Sequence, residues 1–398
     1  MPFQIRLLVM ASGERLPLLC DAAGQPLDAP LLYTLTELRA RGLSTATIRH
    51  AAHAIKVLLQ TLDQQNIVLE LRLMRGEFVQ LHEIDLVVRE AAQAADSRSA
   101  DLERNICSTS AATRLHYMHA YLRWLGYRYL LRLEPQGTRY LELRDRIDKA
   151  CKALRARAPS VGVRSDIDER QGLDEAALER VVNASTGSNE VRLWCRAHAE
   201  QRNRLILRWL IELGVRRGEL LGVRVSDIDF QQNQVLIARR ADDPDDPRPT
   251  QPLTKTKARI LPLSDDLAAA THDYVMGERL RQRGSGRHGF LFVSGGSGAP
   301  LSIAGLSRVF AEMRRSDPAL PAELTPHVLR HTWNDSFSLQ MEKLAVDPET
   351  EKRMRSMLMG WSMTSDTAST YTKRFVRKAA SQAMTAMQEV LKFKGSTR

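Results

Sequence analysis

The second half of this 398-residue chain presents, in order, Arg216, Lys255, the run His327-Val328-Leu329-Arg330-His331, Trp361 and Tyr371. Two arginines, a lysine, a histidine and an indole N–H are suitable donors for a phosphodiester whose non-bridging oxygens gain charge in a transition state. A tyrosine hydroxyl is a nucleophile for such a centre. The chemistry these residues suit is phosphoryl transfer to tyrosine. His327 and His331 stand four residues apart, a zinc-ligand spacing, but no glutamate follows His327 and no third ligand accompanies the pair. Neither a metal nor another cofactor is therefore expected.

Each donor needs a rigid seat. Gly214-Val215-Arg216-Arg217-Gly218-Glu219-Leu220-Leu221 places Arg216 just after a helix stop, with Glu219 three residues on. Bidentate phosphate contact depends on a fixed guanidinium plane, which such a seat supplies. An arginine and a glutamate simply paired at a helix start is the blander reading. The helix that Gly214 ends is expected over residues 202–213. Thr325 is a candidate cap and Pro326 suits the first helical position, so His327 and Arg330 fall on one face of a helix N-terminus, an end that attracts phosphate. Between these helices a small sheet is expected, from Phe230, turn residues 231–233, and strands over 235–239 and 259–263. The acidic, proline-containing stretch 241–249 is expected to be an exposed loop. Residues 284–300 hold seven glycines or prolines around the strand-like Phe290-Leu291-Phe292-Val293.

The N-terminal half reads as helical after a short hairpin over residues 4–10 and 15–20, turned at Ser12-Gly13-Glu14. A helix over 31–41 ends at Gly42, and Ser44 can cap the next one. That helix sets Ile48, Ile55, Leu58, Leu59 and Leu62 on one face and Arg49, His53 and Lys56 on another. Further helices are expected over 75–95, 110–132 and 138–158. In the second of these, Leu115, Met118, Leu122 and Leu125 form the apolar stripe, while Arg114, Tyr117, Tyr121 and Arg128 lie elsewhere on the circumference. Rings interleaved with arginines suit nucleic-acid contact or a core edge. Residues 159–166, rich in breakers, read as a linker. Asp174 can cap a helix to about 183, and Val376, Ala380, Ala383, Met384, Met387 and Leu391 form a late apolar stripe.

The chain suits two main domains by length. It carries 58 Lys+Arg against 47 Asp+Glu, a formal net charge of +11, which favours a polyanionic partner such as nucleic acid. No apolar run approaches the roughly 20 residues of a membrane span. Residues 1–21 also lack a signal-peptide layout, so a soluble cytoplasmic protein without a membrane partner is expected. Cys20, Cys107, Cys151 and Cys195 are scattered, which suggests neither a disulfide framework nor a zinc site.

With these residues in view, the chain resembles a tyrosine recombinase of the phage integrase family. The family's Gly-Leu-Arg-x-x-Glu-Leu context is matched at 214–220 and its His-x-x-Arg-His box at His327, Arg330 and His331. Its Leu-Gly-His/Trp box is matched at Met359-Gly360-Trp361, and its tyrosine at Thr370-Tyr371-Thr372. The hairpin lysine is best matched by Lys255, with Lys257 competing. The resemblance implies a mainly α protein with a small antiparallel sheet. Its parts would be an N-terminal extension (1–28), a helical core-type DNA-binding domain (29–158), a linker (159–172), a catalytic domain (173–375) and a C-terminal helix (376–398) that docks on a neighbouring protomer or packs in cis. Tyr371 would attack and leave a 3′ phosphotyrosyl link, so no ATP is needed. Arg216 and Arg330 would hold phosphate oxygens, His327 would move a proton or touch phosphate, Lys255 would be the general acid, and Trp361 a donor that cannot titrate. Glu219 and His331 would be supports. Arg49, Lys56, Arg114, Tyr121, Lys257 and Arg259 are candidate DNA contacts. Implied partners are double-stranded target sites, three further copies in a tetramer assembled on DNA from a monomer or weak oligomer, and accessory DNA-binding proteins. The source would be bacterial or phage-encoded, with the protein nucleoid-associated. Residues 346–349 and the acidic loop read as insertions. A type IB topoisomerase-like enzyme and a non-catalytic architectural DNA-binding protein are the rival readings.

Overall fold

The structure is a computed structural model, and it describes residues 3–93, 106–160, 172–188, 193–252, 254, 256–362, 380, 381 and 383–388. The chain divides into two units, Met1–Ser165 and Asp166–Arg398. Both are built mainly from helices, each with a small antiparallel sheet.

In the first unit β1 (Gln4–Val9) pairs antiparallel with β2 (Arg15–Cys20), from Gln4 opposite Cys20 to Val9 opposite Arg15. Leu16, Leu19 and Cys20 turn inward, and the Thr45 hydroxyl donates to Arg15 O, tying the hairpin to α2 (Thr45–Gln64). The helix expected over 31–41 begins earlier, as α1 (Asp28–Tyr33), and runs on through a π-helical turn at Thr34–Arg39. Ser44 caps α2, accepting the Thr47 N–H at 3.3 Å, and Ile48, Ile55, Leu58 and Leu62 are buried as its period requires. A short further helix, α3 (Leu69–Met74), precedes the helix expected over 75–95, which starts later, as α4 (Leu81–Ala92). Glu83 sets that start. Its carboxylate accepts the Gln80 N–H at 2.8 Å, starting α4, and ion-pairs with Arg72 at 2.7 Å, holding α3 beside it. Then come α5 (Ser108–Leu130) and α6 (Thr138–Ala156), whose apolar faces close the core.

In the second unit Asp174 caps α7 (Glu175–Thr186), taking the Ala177 N–H at 2.7 Å. The central element is α8 (Ala197–Leu213). Ile206, Trp209, Leu210 and Leu213 are buried, while Arg204–Glu200 and Arg208–Glu212 pair on its outer face. Short α9 (Arg217–Gly222) follows, then the sheet β3 (Ile228–Asp229), β4 (Gln234–Ile237) and β5 (Arg259–Pro262), in that spatial order. Strand alternation turns Val235 and Ile237 inward together with Arg259 and Leu261. Helices α10 (Asp265–Tyr274), α11 (Ile303–Ser316), α12 (Pro326–Lys343) and α13 (Pro348–Met359) complete the unit. Phe290-Leu291-Phe292-Val293 is buried but makes only isolated bridges, Arg224 with Phe290 and Val293 with Pro300. The stretch 346–349 contains the start of α13: Asp347 caps it, accepting the Glu349 and Thr350 N–H groups at 3.1 and 3.0 Å. Residues 380, 381 and 383–388 are helical and exposed, whereas the other members of the expected late stripe, Val376 and Leu391, lie outside the described residues.

The acidic stretch is a loop as expected, with Ala241, Pro244, Asp245, Pro247 and Pro249 exposed, but it is pinned down at three residues between them. Asp246 and Arg248 are buried and paired through two bonds of 2.8 Å, and Arg248 also donates to Leu221 O and Leu301 O. Arg224 grips Asp243 and Arg240 grips Asp227. Opposite charges from neighbouring segments fold the insertion down.

Gly214 ends α8 at φ +59°, a backbone region that costs a residue with a Cβ about 1–2 kcal/mol. A Cβ there would also meet Trp333 Cγ at 2.6 Å, and the Trp333 indole donates to Glu212 O. Gly214→Ala is expected to destabilise the protein by about 2 kcal/mol or more, visible as a fall in Tm of roughly 4–8 °C. An unchanged melt would show that the turn relaxes freely.

Candidate active site

Arg216 leaves α8 through Gly214 and Val215 and begins α9. Its backbone N–H donates to Glu219 Oε2 at 2.8 Å, and its guanidinium, about a third exposed, reaches Oε1 at 3.5 Å. The Glu219 side chain is fully buried. It also accepts the Thr256 hydroxyl at 2.5 Å and both Arg259 Nη groups at 3.2 and 2.9 Å, and Arg330 Nη1 stands 3.9 Å away. Burial alone would raise the Glu219 pKa. The Arg259 pair, Arg330 and the Thr256 hydrogen bond outweigh it and hold the carboxyl down at about 2. Among the described residues one carboxylate thus faces three guanidinium groups.

Thr325 and Pro326 start α12 as expected, the threonine oxygen accepting the Val328 N–H at 3.4 Å. The next turn divides its residues. Arg330 is 2 % exposed and donates to Gly214 O at 2.7 Å, which joins the end of α8 to the start of α12. His327 is exposed, and its Nε2 lies 3.1 Å from His331 Nε2, so one ring donates to the other. Trp361 is buried beyond the left-handed Gly360, with its backbone N–H on Ser356 O. Its ring centroid lies 6.0 Å from Arg216 Cζ and 5.4 Å from Arg330 Cζ, so the indole face stabilises both cations. The β5 end of the hairpin closes the group: the Lys257 N–H donates to Gly360 O at 3.0 Å and Arg259 Nε to Leu358 O at 2.5 Å. Lys255 and Tyr371 lie outside the described residues.

The structure therefore brings together Arg216, Glu219, Arg330, Trp361 and the segment that leads from Lys257 into Arg259 of β5. It adds residues that the sequence reading missed. Thr256 sits between the two lysines. Arg355, fully buried, donates to Asn334 O at 3.1 Å and Ser338 Oγ at 2.6 Å and pairs with Glu351, locking α13 to α12 beneath Trp361. The four-residue spacing of Glu351 and Arg355 is the one local signal for that lock. No group of three or more His, Cys, Asp or Glu side chains among the described residues could hold a metal.

The sequence model of the phage integrase family matches residues 173–377, just over half of the chain. The chain belongs to the phage integrase family. Among curated relatives it is 32 % identical over 133 residues to a putative integrase/recombinase, y4rF, of Sinorhizobium fredii, covering 33 % of this chain and 28 % of that one. It is 22 % identical over 165 residues to the tyrosine recombinase XerA of Saccharolobus solfataricus, covering 42 % of each. The chain thus spans less than half the length of these relatives. The integrase of transposon Tn1549, solved in complex with transposon right-end DNA, superposes with a TM-score of 0.51 at 16 % identity, over 90 % of this chain and all of that one. That likeness identifies the fold.

The candidate DNA contacts of this integrase-family chain fare unequally. Arg49 is exposed and Lys56 half-buried on one face of α2. His53 between them has its pKa lowered by partial burial, then by Lys56, Arg49, His50 and Arg114, so the face is basic. Arg114, however, donates to Ala91 O and Gln93 O at 3.2 and 2.6 Å, so its guanidinium closes the end of α4. Tyr121 is fully buried between Tyr33 and Trp124, with ring centroids 5.3 and 6.0 Å away, and is unavailable to DNA. Arg259 faces inward on β5 and is committed to Glu219. Lys257 is exposed.

Proposed function

We propose that this chain is a site-specific DNA recombinase that cleaves and rejoins strands through a 3′ phosphotyrosyl link. The observation that carries the reading is the Glu219 cluster, in which three guanidinium groups gather on one buried carboxylate beside the Trp361 face. A phosphodiester in the act of transfer gains charge on its non-bridging oxygens, and donors fixed in advance stabilise that charge without reorganising.

The tyrosine census supports Tyr371 as nucleophile. Of the eight tyrosines, only Tyr274 and Tyr371 belong to the unit that holds the cluster. Tyr274 is buried in the core, its oxygen accepts the Val293 N–H at 3.4 Å, and burial pushes its pKa up to about 12. In the proposed step the Tyr371 oxygen bonds to phosphorus and the bond from phosphorus to the 5′ oxygen breaks. The phenolic proton passes to His327, and Lys255, or Lys257 in its stead, protonates the departing 5′ oxygen. The reverse step, with a different 5′ hydroxyl attacking the phosphotyrosine, joins the new strand. No bond energy leaves the system, so no ATP enters. Partners in this proposal are double-stranded target sites, held in part by the Arg49–Lys56 face, and three further copies of the chain in a tetramer assembled on DNA. Accessory DNA-binding proteins and a bacterial cytoplasmic setting complete it. Among the described residues no helix is long and apolar enough to cross a membrane.

The test is a duplex nicked beside the cleavage position, so that the short fragment carrying the freed 5′ hydroxyl diffuses away after attack. The protein should then run as a covalent DNA adduct in denaturing gels. Tight binding with no adduct on any strand would overturn the proposal.

A further inference from the structure

Thr256 lies between the two candidate acids and is 4 % exposed. Its hydroxyl donates to Glu219 Oε1 at 2.5 Å and accepts from Arg259 Nη1 at 3.3 Å. Consecutive Cα atoms stand about 3.8 Å apart across a trans peptide, so a fixed Thr256 limits how far the Cα of an adjacent lysine can lie from Glu219. The Lys257 N–H on Gly360 O fixes the next residue. Gly360 is closely approached there: a Cβ on it would meet Lys257 O at 2.8 Å and Thr256 Cβ at 3.0 Å.

The other end of the loop is also anchored. Arg248 ties the acidic insertion to Leu221 O, beside Glu219 on α9, and to Leu301 O, and Gln251 and Pro252 are buried after it. Only residues 253–255 bridge Pro252 and Thr256, a contour of at most about 15 Å. A lysine on its flexible stem needs such a base, because its ammonium is a point charge with no geometry of its own.

We propose that Thr256 is a positioning residue for the leaving-group lysine, and that Glu219, gripped at once by Thr256 and by the Arg216 seat, registers the proton donor against the arginines. This rests on the lysine role proposed above. A merely structural Thr256 would satisfy Glu219 and affect every substrate alike. The two differ at the leaving group: a 5′ oxygen needs a proton, whereas a 5′ sulfur departs as a thiolate without one.

The experiment measures single-turnover cleavage by the full chain of nicked duplexes, their site recovered from a randomised pool by retention on the protein. The scissile position carries either 5′ oxygen or 5′ phosphorothiolate. Thr256→Val is expected to slow the oxygen substrate by about 10- to 100-fold and the sulfur substrate by less than about twofold, with DNA affinity unchanged. Thr256→Ser should restore most of the rate. Equal slowing on both substrates, no slowing, or failure of serine to restore the rate overturns the proposal. Should the valine variant not fold, Thr256→Ala is read by the same split. Lys255→Ala and Lys257→Ala run alongside: if sulfur rescues neither, the lysine role itself is wrong, a result distinct from any outcome at Thr256.

Discussion

Replacing Tyr371 with phenylalanine is expected to leave DNA binding intact and to abolish the covalent adduct. The change removes one oxygen and keeps the ring, so packing and charge are retained while the only proposed nucleophile is lost. Loss of a nucleophile in covalent catalysis costs on the order of 10⁶-fold, well beyond what removal of one phosphate donor costs, about 10²–10³-fold. Arg330→Ala in the same assay should therefore give a slow adduct and Tyr371→Phe none. An ordinary phenol ionises near pH 10, so at neutral pH attack depends on a base and on nearby cations. In the proposed reaction the three guanidinium groups around Glu219 are the cations. Adduct formation by Tyr371→Phe would mean that another side chain attacks. Tyr274 would be an implausible substitute, since a phenol packed against Phe292 and held to Val293 must leave the core to react.

What the sequence discloses and what it hides divide by distance along the chain. The caps Ser44, Asp174 and Thr325 are legible because a cap and the N–H groups it takes lie within three residues of each other. Gly214 is legible as a helix stop, and its close approach to Trp333, more than a hundred residues on, is not. The inward face of Arg259 was available from alternation, because Arg259, Leu261 and Leu263 share one parity. Its basic side chain, next to two lysines, invites the opposite reading. Tyr121 misleads similarly: a tyrosine among arginines suits DNA, but Tyr33 and Trp124 enclose it. The acidic stretch was legible as a loop but not as a pinned one: Arg248 pairs with Asp246 two residues away, yet the Arg224 partner of Asp243 and the carbonyls that Arg248 reaches, 27 and 53 residues away, leave no local signal.

Glu219→Gln is expected to produce the largest loss of stability of any single substitution in the candidate site. Glutamine keeps the shape but has one oxygen, so it can accept at only one of the two places where Glu219 does, from Arg216 N or from Thr256 Oγ1, and the negative charge disappears. Arg259 and Arg330, both nearly buried, then lose the Glu219 charge beside them. Breaking one side of a buried ion pair costs about 3–5 kcal/mol, or roughly 6–20 °C in Tm for a unit of this size. The pH dependence gives the sign. With its folded pKa held at about 2, against 4.5 for the free group, Glu219 binds fewer protons folded than unfolded. Its contribution, roughly 3 kcal/mol, is fully present above about pH 4.5 and is lost as pH falls towards 2. The gap between wild type and Glu219→Gln in urea melts should therefore be wide at pH 6 and narrow towards pH 3. Sulfate should restore more stability to the variant than to wild type, because three cations without a carboxylate form a stronger anion trap. A gap that does not change with pH would mean that Glu219 acts through shape and hydrogen bonds alone.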